Sequence, residues 1–328
     1  MTWLVWRQYR AQGAIALALL AAFAAATLAD GFQIASRWHS ILGTCAGHSA
    51  CLQQTAPLVS GVVSDLPYVS LVVPAVLGIL WGAPLVAHEL ETRTIDFAWA
   101  QSVTRTRWLA VKVGWLLLAA VACGGVIAAL TTWWSGPINA QSADVFFSTQ
   151  FDTQGIVPIG YAVFAMALGI AVGTVARRAL PATAVALGGF IGLRLVVSNF
   201  VRQHYMPAIT TYYPVAGSYT PPGSPWVLAQ GAVSSTGVTV AKGWGDLYPA
   251  LPATCQKVLL QSQSAGPAKG VSMSPVFSCM QAHGWRGFVT YQPAGRYWPF
   301  QGIETGIYVL LAAALIAVTF AVLSRRDA

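Results

Sequence analysis

Six long runs of residues dominate this sequence, at 11–29, 66–87, 113–134, 156–176, 179–201 and 305–324, and Arg194 is the one Asp, Glu, Lys or Arg among them. About 20 apolar residues in a helix span the roughly 30 Å of a bilayer's hydrocarbon core. Only helices and closed barrels satisfy their backbone there, and runs this long without alternation are helical. The rest of the composition agrees. Charged residues make up 9% of the chain, against about 25% in soluble domains. A soluble enzyme and a disordered chain are therefore both excluded. The expected fold is an all-α integral membrane protein with six transmembrane helices. The first run has a second reading. Arg7 and Arg10 precede it and Thr27-Leu28-Ala29 ends it, as at a signal-peptidase site. Cleavage there leaves five spans; without it, both termini lie on one side.

Charge placement orients the uncleaved chain. With the N-terminus inside, the inner segments hold Arg7, Arg10, Arg93, Arg105, Arg107, Lys112, Arg177, Arg178, Arg325 and Arg326. The two short outer loops hold only Arg37. Lysine and arginine in short loops favour the cytoplasm, so both termini are expected to be cytoplasmic in the plasma membrane. The formal net charge of +8 then describes a basic inner face that meets anionic lipid, and nucleic acid is not needed to explain it. Cys45 and Cys51 fall in the first outer loop, and Cys255 and Cys279 in the long outer segment. Two disulfides on an oxidising side follow. Of the three possible pairings, Cys45–Cys51 and Cys255–Cys279 keep each bridge within one segment. No C-x-x-C pair is present to suggest a metal.

The spans carry Gly78/Gly82, Gly169/Gly173 and Gly188/Gly192. Small residues one turn apart let helices approach closely. Pro74, Pro84 and Pro158 are candidate kinks. Tyr68, Trp133, Trp134, Tyr297 and Trp298 fall near the outer boundary and Trp108 near the inner, as an aromatic belt. Arg194 is costly within a span and faces either the bundle interior or a water-filled path. One reading gives it an anionic substrate or an acidic partner such as Glu304, so Arg194 and Glu304 are the candidates for a transport path. The other has it snorkel outward as an anchor.

The segment 202–304 is too long for a structureless loop, so it is expected to be a small extracellular domain held by a disulfide, with a helix near 253–263 and a strand near 288–291. The inner segment 88–112 is charged and interleaved with Trp and Phe, the composition of a helix lying along the inner interface. The plain alternative is an amphipathic loop. Catalytic motifs are missing. His88-Glu89 starts like a zinc-protease helix, but position 92 is Thr. There is neither a phosphate-binding Gly-x-x-x-x-Gly-Lys-Ser/Thr nor a Gly-x-Ser-x-Gly elbow. No catalytic residue, metal site or cofactor is expected in this chain.

The inner segment resembles one family. Glu89 and Glu91, then Thr92 or Thr94, then Ser102-Val103-Thr104-Arg105, then Lys112 at the third span are similar to ABC-2-type transporter permeases. Residues 2–10 and 291–301 resemble an actinobacterial branch of that family. The likeness covers nearly the whole chain. It departs in lacking a Gly-Thr after the glutamate turn and in its larger outer segment, so no substrate carries over. The resemblance implies that 88–112 is a cytoplasmic coupling helix docking on a separate ATP-binding cassette ATPase through Glu89, Glu91, Thr92, Thr94, Ser102, Thr104, Arg105, Arg107 and Lys112. It further implies that ATP and Mg are bound by that partner, that a second permease copy, identical or related, completes the path, and that the transporter exports. The competing class is an integral-membrane enzyme or sensor using its extracellular domain. The lack of paired catalytic residues and of a cytosolic signalling domain counts against it.

Overall fold

A computed structural model describes residues 2–45, 66–91, 105–139, 146, 148–223, 225–240, 248–264 and 273–325. Among them, six helices are long and apolar enough to cross a membrane. These are α1 (Thr2–Cys45), α2 (Leu66–Glu91), α3 (Arg105–Asn139), α5 (Val157–Ala176), α6 (Ala179–Val196) and α9 (Tyr297–Arg325). A short α4 (Ser148–Thr153) precedes α5, and α6 runs on through a π-helical turn at Val197–Val201 into a single 3-10 turn at Arg202–His204. All six expected spans are present. The chain forms two compact units, a helical one and a second one over 203–296.

Four helices, α1, α2, α3 and α9, overrun the uncharged runs that announced them. α1 has 44 residues, about 66 Å at 1.5 Å per residue. It continues past Asp30 because the Trp134 indole N–H of α3 donates to Asp30 Oδ2 at 2.6 Å. Arg37 and Cys45, expected in an outer loop, therefore lie within α1. Thr27-Leu28-Ala29 is mid-helix, with the Thr27 hydroxyl donating to Phe23 O. Cys45 is disulfide-bonded; its expected partner Cys51 lies outside the described residues.

α5 is the hub of the helical unit. Fourteen of its residues are buried, on every face, and it packs against α2, α3, α6 and α9. Two of the three glycine pairs form its seam with α2. A Cβ at Gly78 would sit 2.8 Å from Ala162 O, and one at Gly169 would sit 2.8 Å from Ala83 N. Backbone meets backbone there, so only glycine fits. The third pair is different, since Gly188 and Gly192 on α6 have no atom within 4 Å of such a Cβ. Pro74 and Pro84 lie inside α2. Pro158 is in the first turn of α5, where the missing N–H costs nothing, so it does not kink the span. Tyr68, Trp133 and Trp298 are exposed, as a belt requires. Trp108 and Trp134 are buried, and Tyr297 stacks edge-on against Phe146 and Phe151; these three pack within the protein instead.

Arg177 ends α5 in the left-handed region, φ +55°, with its N–H donating to Gly173 O at 3.1 Å. A side chain in that region costs roughly 1 kcal/mol relative to glycine. Arg177→Gly is expected to raise thermal stability in detergent by about that amount. A lowered melting temperature would show that the Arg177 side chain contributes more than its backbone strain costs.

The second unit departs from the all-α expectation. Its strands β1 (Ile209–Pro214), β2 (Trp226–Val233), β3 (Thr239–Val240) and β4 (Arg286–Gln292) form an antiparallel sheet in the order β1-β4-β2-β3. Their β-branched and aromatic residues favour a pleated surface, and turn residues separate them: Gly237 takes φ +85° between β2 and β3. The central β4 is the most buried strand. The unit also contains α7 (Ala253–Ser264) and α8 (Ser274–Ala282), which are joined by a Cys255–Cys279 disulfide. The expected helix near 253–263, the strand near 288–291 and this cysteine pair are all present. Cys255, Leu259, Val276, Met280 and Trp285 form the unit's core. Its boundaries are tighter than the expected 202–304. Arg202 and everything from Tyr297 onward belong to the helical unit.

Candidate functional site

Four charged side chains that are distant in sequence meet inside the helical unit. Asp152 is on α4, Arg194 on α6, Arg202 in the turn after α6, and Glu304 on α9. Arg202 Nε donates to Glu304 Oε2 and its Nη2 to Glu304 Oε1, both at 2.8 Å. The same Nη2 also donates to Asp152 Oδ1. Arg194 Nη2 donates to the other Asp152 oxygen at 2.7 Å. Arg202, Asp152 and Glu304 are at most 3% exposed, and Arg194 13%. Two guanidinium groups thus face two carboxylates, and the cluster is neutral.

Local sequence explains the convergence. Arg194 and Arg202 are eight residues apart, about 12 Å along a helix. Their long side chains reach one carboxylate from opposite directions, and the widened turn at Val197–Val201 puts both on one face. π-helical turns recur at functional sites. Asp152 is held by a turn stapled from α9. Gln301 Oε1 accepts the backbone N–H groups of Ile156 and Val157, each at 3.0 Å, while its Nε2 donates to Phe151 O at 2.8 Å. One amide thus caps the start of α5 and closes the end of α4. Aromatic rings line the charges. The Arg202 guanidinium lies 4.3 Å from the Phe151 ring centroid and that of Arg194 5.0 Å from Tyr161. The Tyr161 hydroxyl is 2.7 Å from Glu304 Oε1 and 3.1 Å from Asp152 Oδ1. A phenol has one proton to give, and the shorter contact identifies Glu304 as its acceptor. Tyr308 stacks edge-on against Tyr161 at 4.8 Å.

Chemically the cluster is a cross-brace. It ties α4, α5, α6 and α9 together through charge-assisted hydrogen bonds, which are the strong ones. Its carboxylates are already matched by cations, so a metal ion gains little there. Arg194 and Glu304, the two path candidates, do belong to one cluster. They are not each other's partner, because Asp152 and Arg202 stand between them. Those two residues were missed. Their signal was positional: Asp152 precedes the fourth run, Arg202 follows the fifth and Glu304 precedes the sixth, so all three charges fall at the same end of the bundle.

The coupling candidates are placed differently. Glu89 and Glu91 lie in the last turn of α2, Arg105 and Arg107 in the first turn of α3. The described ends of 88–112 are thus continuations of two spans. Residues 92–104, with Thr92, Thr94, Ser102 and Thr104, lie outside the described residues. Lys112 is buried on α3, its Nζ 4.4 Å from the Trp108 ring centroid, so it braces α3 and is not part of an exposed face.

Residues 17–202 match the ABC-2 membrane transporter related family. That is more than half of the chain, and the chain belongs to this family of multi-pass membrane proteins. The matched stretch runs from α1 to Arg202 and includes Asp152, Tyr161 and Arg194; Glu304 lies beyond it. No curated protein and no solved structure is significantly similar to the chain.

Proposed function

We propose that this chain is the membrane-spanning permease subunit of an ATP-binding cassette exporter. The family match over residues 17–202, on a bundle of six apolar helices, carries the reading. A separate ATPase subunit binds ATP and Mg and hydrolyses the nucleotide. The segment from Glu89 to Arg107 docks on it at the cytoplasmic ends of α2 and α3, with both termini on that side of the plasma membrane. A second permease copy, identical or related, completes the path, and ATP-driven closure of the ATPases biases the bundle between two states. Within the bundle, Arg194 is the most exposed member of the charge cluster and the residue assigned to the path, with Glu304 behind it.

The test is co-expression with an ATP-binding cassette subunit encoded beside it. A stable complex with ATPase activity in lipid is expected, and failure of the two to associate counts against the reading. Replacing Glu89 and Glu91 together with Ala is expected to reduce co-purification of the ATPase several-fold while leaving expression unchanged. Undiminished co-purification removes both residues from the docking surface. Arg194→Ala is expected to lower transport more than expression; parallel losses assign Arg194 to bracing alone.

A further inference from the structure

The Cys255–Cys279 disulfide has a histidine against both of its sulfurs. His283 follows α8, one helical turn beyond Cys279. Its Nδ1 lies 3.7 Å from Cys255 Sγ and 3.9 Å from Cys279 Sγ. The same nitrogen is 2.9 Å from Cys279 O, and Nε2 is 3.2 Å from Thr254 Oγ1. These three residues are a group whose potential ligand atoms all fall within 4.8 Å of one another. We propose that the dithiol form of this pair, together with His283, is a binding site for zinc or a similar thiophilic divalent ion, so that the second unit is stapled by a disulfide when oxidised and by a metal when reduced.

The spacing supports this chemistry. Zinc bonds sulfur at about 2.3 Å and imidazole nitrogen at about 2.0 Å in tetrahedral geometry, which separates a sulfur from a nitrogen by about 3.5 Å. The two observed separations exceed that by only a few tenths of an ångström. Two sulfurs on one tetrahedral zinc lie about 3.8 Å apart, and Cys255 and Cys279, with Cα atoms 5.7 Å apart, can reach that spacing by rotation about their Cα–Cβ bonds once the S–S bond is gone. Water takes the fourth position, giving a two-cysteine, one-histidine site. The hydrogen bonds fit both states. In the oxidised state Nδ1–H donates to Cys279 O. In the metal-bound state Nδ1 is deprotonated and binds the ion, while Nε2–H donates to Thr254 Oγ1. Such a partner on the second nitrogen fixes the tautomer of a ligating histidine. Access is also present, since His283 is exposed and Cys279 half-buried, whereas Cys255 lies in the core.

The steps balance. A dithiol reductant gives two electrons and two protons to the disulfide, leaving as its own cyclic disulfide and producing two protein thiols. The neutral imidazole of His283 releases its Nδ1 proton to solvent and takes one from solvent on Nε2, and the divalent ion then displaces one proton from each thiol to solvent and takes the freed Nδ1 lone pair. The sequence has no C-x-x-C pair; here the third ligand is a histidine four residues past the second cysteine, and the first cysteine comes from another helix.

The experiment uses the full chain in detergent, carrying Cys45→Ser, Cys51→Ser and Cys123→Ser so that only Cys255 and Cys279 remain. The protein is reduced with a phosphine, which does not ligate as a thiol does, freed of reductant and titrated with Co²⁺, then with Zn²⁺ in competition. One equivalent of cobalt is expected, with a thiolate-to-cobalt charge-transfer band and tetrahedral ligand-field bands, and no such band before reduction. His283→Ala is expected to weaken zinc binding more than about 100-fold, and Thr254→Val about 10-fold. Because His283 is exposed, His283→Ala is expected to keep the disulfide and the oxidised melting temperature. No thiolate band in the reduced protein, or unchanged zinc affinity in His283→Ala, overturns the proposal.

Discussion

Arg202→Leu is expected to destabilise the helical unit by about 3–5 kcal/mol, the cost of removing one member of a buried ion pair. The reason is what it leaves behind. Glu304 loses two hydrogen bonds at 2.8 Å and keeps the Tyr161 phenol, and Asp152 loses Arg202 and keeps Arg194. Two carboxylates then remain in a region where Arg202 and Glu304 are at most 1% exposed. Thermal unfolding in detergent, with expression level as a second readout, measures the loss. Arg202→Lys is expected to recover only part of it, because an ammonium cannot reproduce the fork that reaches Glu304 and Asp152 together. The double variant Arg202→Leu, Glu304→Leu is the informative one. It removes one positive and one negative charge and leaves the Arg194–Asp152 pair, so stability is expected to return to within about 2 kcal/mol of the parent. A double variant as unstable as Arg202→Leu alone defeats the cross-brace account. A stable double variant that no longer supports transport gives the cluster a role in the moving protein beyond holding it together.

The helices were legible in the sequence and their ends were not, for one physical reason. An uncharged-run rule stops at the first charge. Three of the charges that stopped it find partners within the fold. Asp30 accepts from the Trp134 indole, so α1 runs on to Cys45. Lys112 lies over Trp108, so α3 starts at Arg105. Glu304 binds Arg202, so α9 starts at Tyr297. The same rule hid half of the candidate site. Arg194 stood out because it interrupts an apolar run. Asp152 and Arg202 looked like ordinary loop charges, because their charged partners are 42 to 102 residues away in sequence. The sheet of the second unit was only partly visible. Its strand over 286–292 has the right residues, but β1 and β2 are edged with Pro and Gly and alternate weakly in burial. Their pairing depends on contacts that no local pattern carries.

The glycine pairs provide the second large effect, and a contrast within one motif. Gly169→Ile is expected to prevent the bundle from closing. Its Cβ would fall 2.8 Å from Ala83 N and 3.2 Å from both Gly82 C and Ile79 O. Those are backbone atoms of α2, which cannot swing aside as a side chain does, so the helices must separate. Overpacking a well-filled core costs about 1–3 kcal/mol, and more where no rotamer relieves it. Separation here also exposes the seam that seats α5, the helix against which four others pack. Loss of folded protein in detergent is the expected readout. Gly188→Ile is the matched control. There, in the same small-x-x-x-small pattern, a Cβ meets no atom within 4 Å, and the change is expected to alter the stability of the isolated chain by less than about 0.5 kcal/mol. A helix-propensity effect acts on both sites alike, because isoleucine replaces glycine in a helix in each. The difference between the two variants therefore isolates the backbone approach at the α2–α5 seam. Equal losses in the two variants show that the motif alone, without close contact, determines the outcome, and that the packing described for α2 and α5 is wrong.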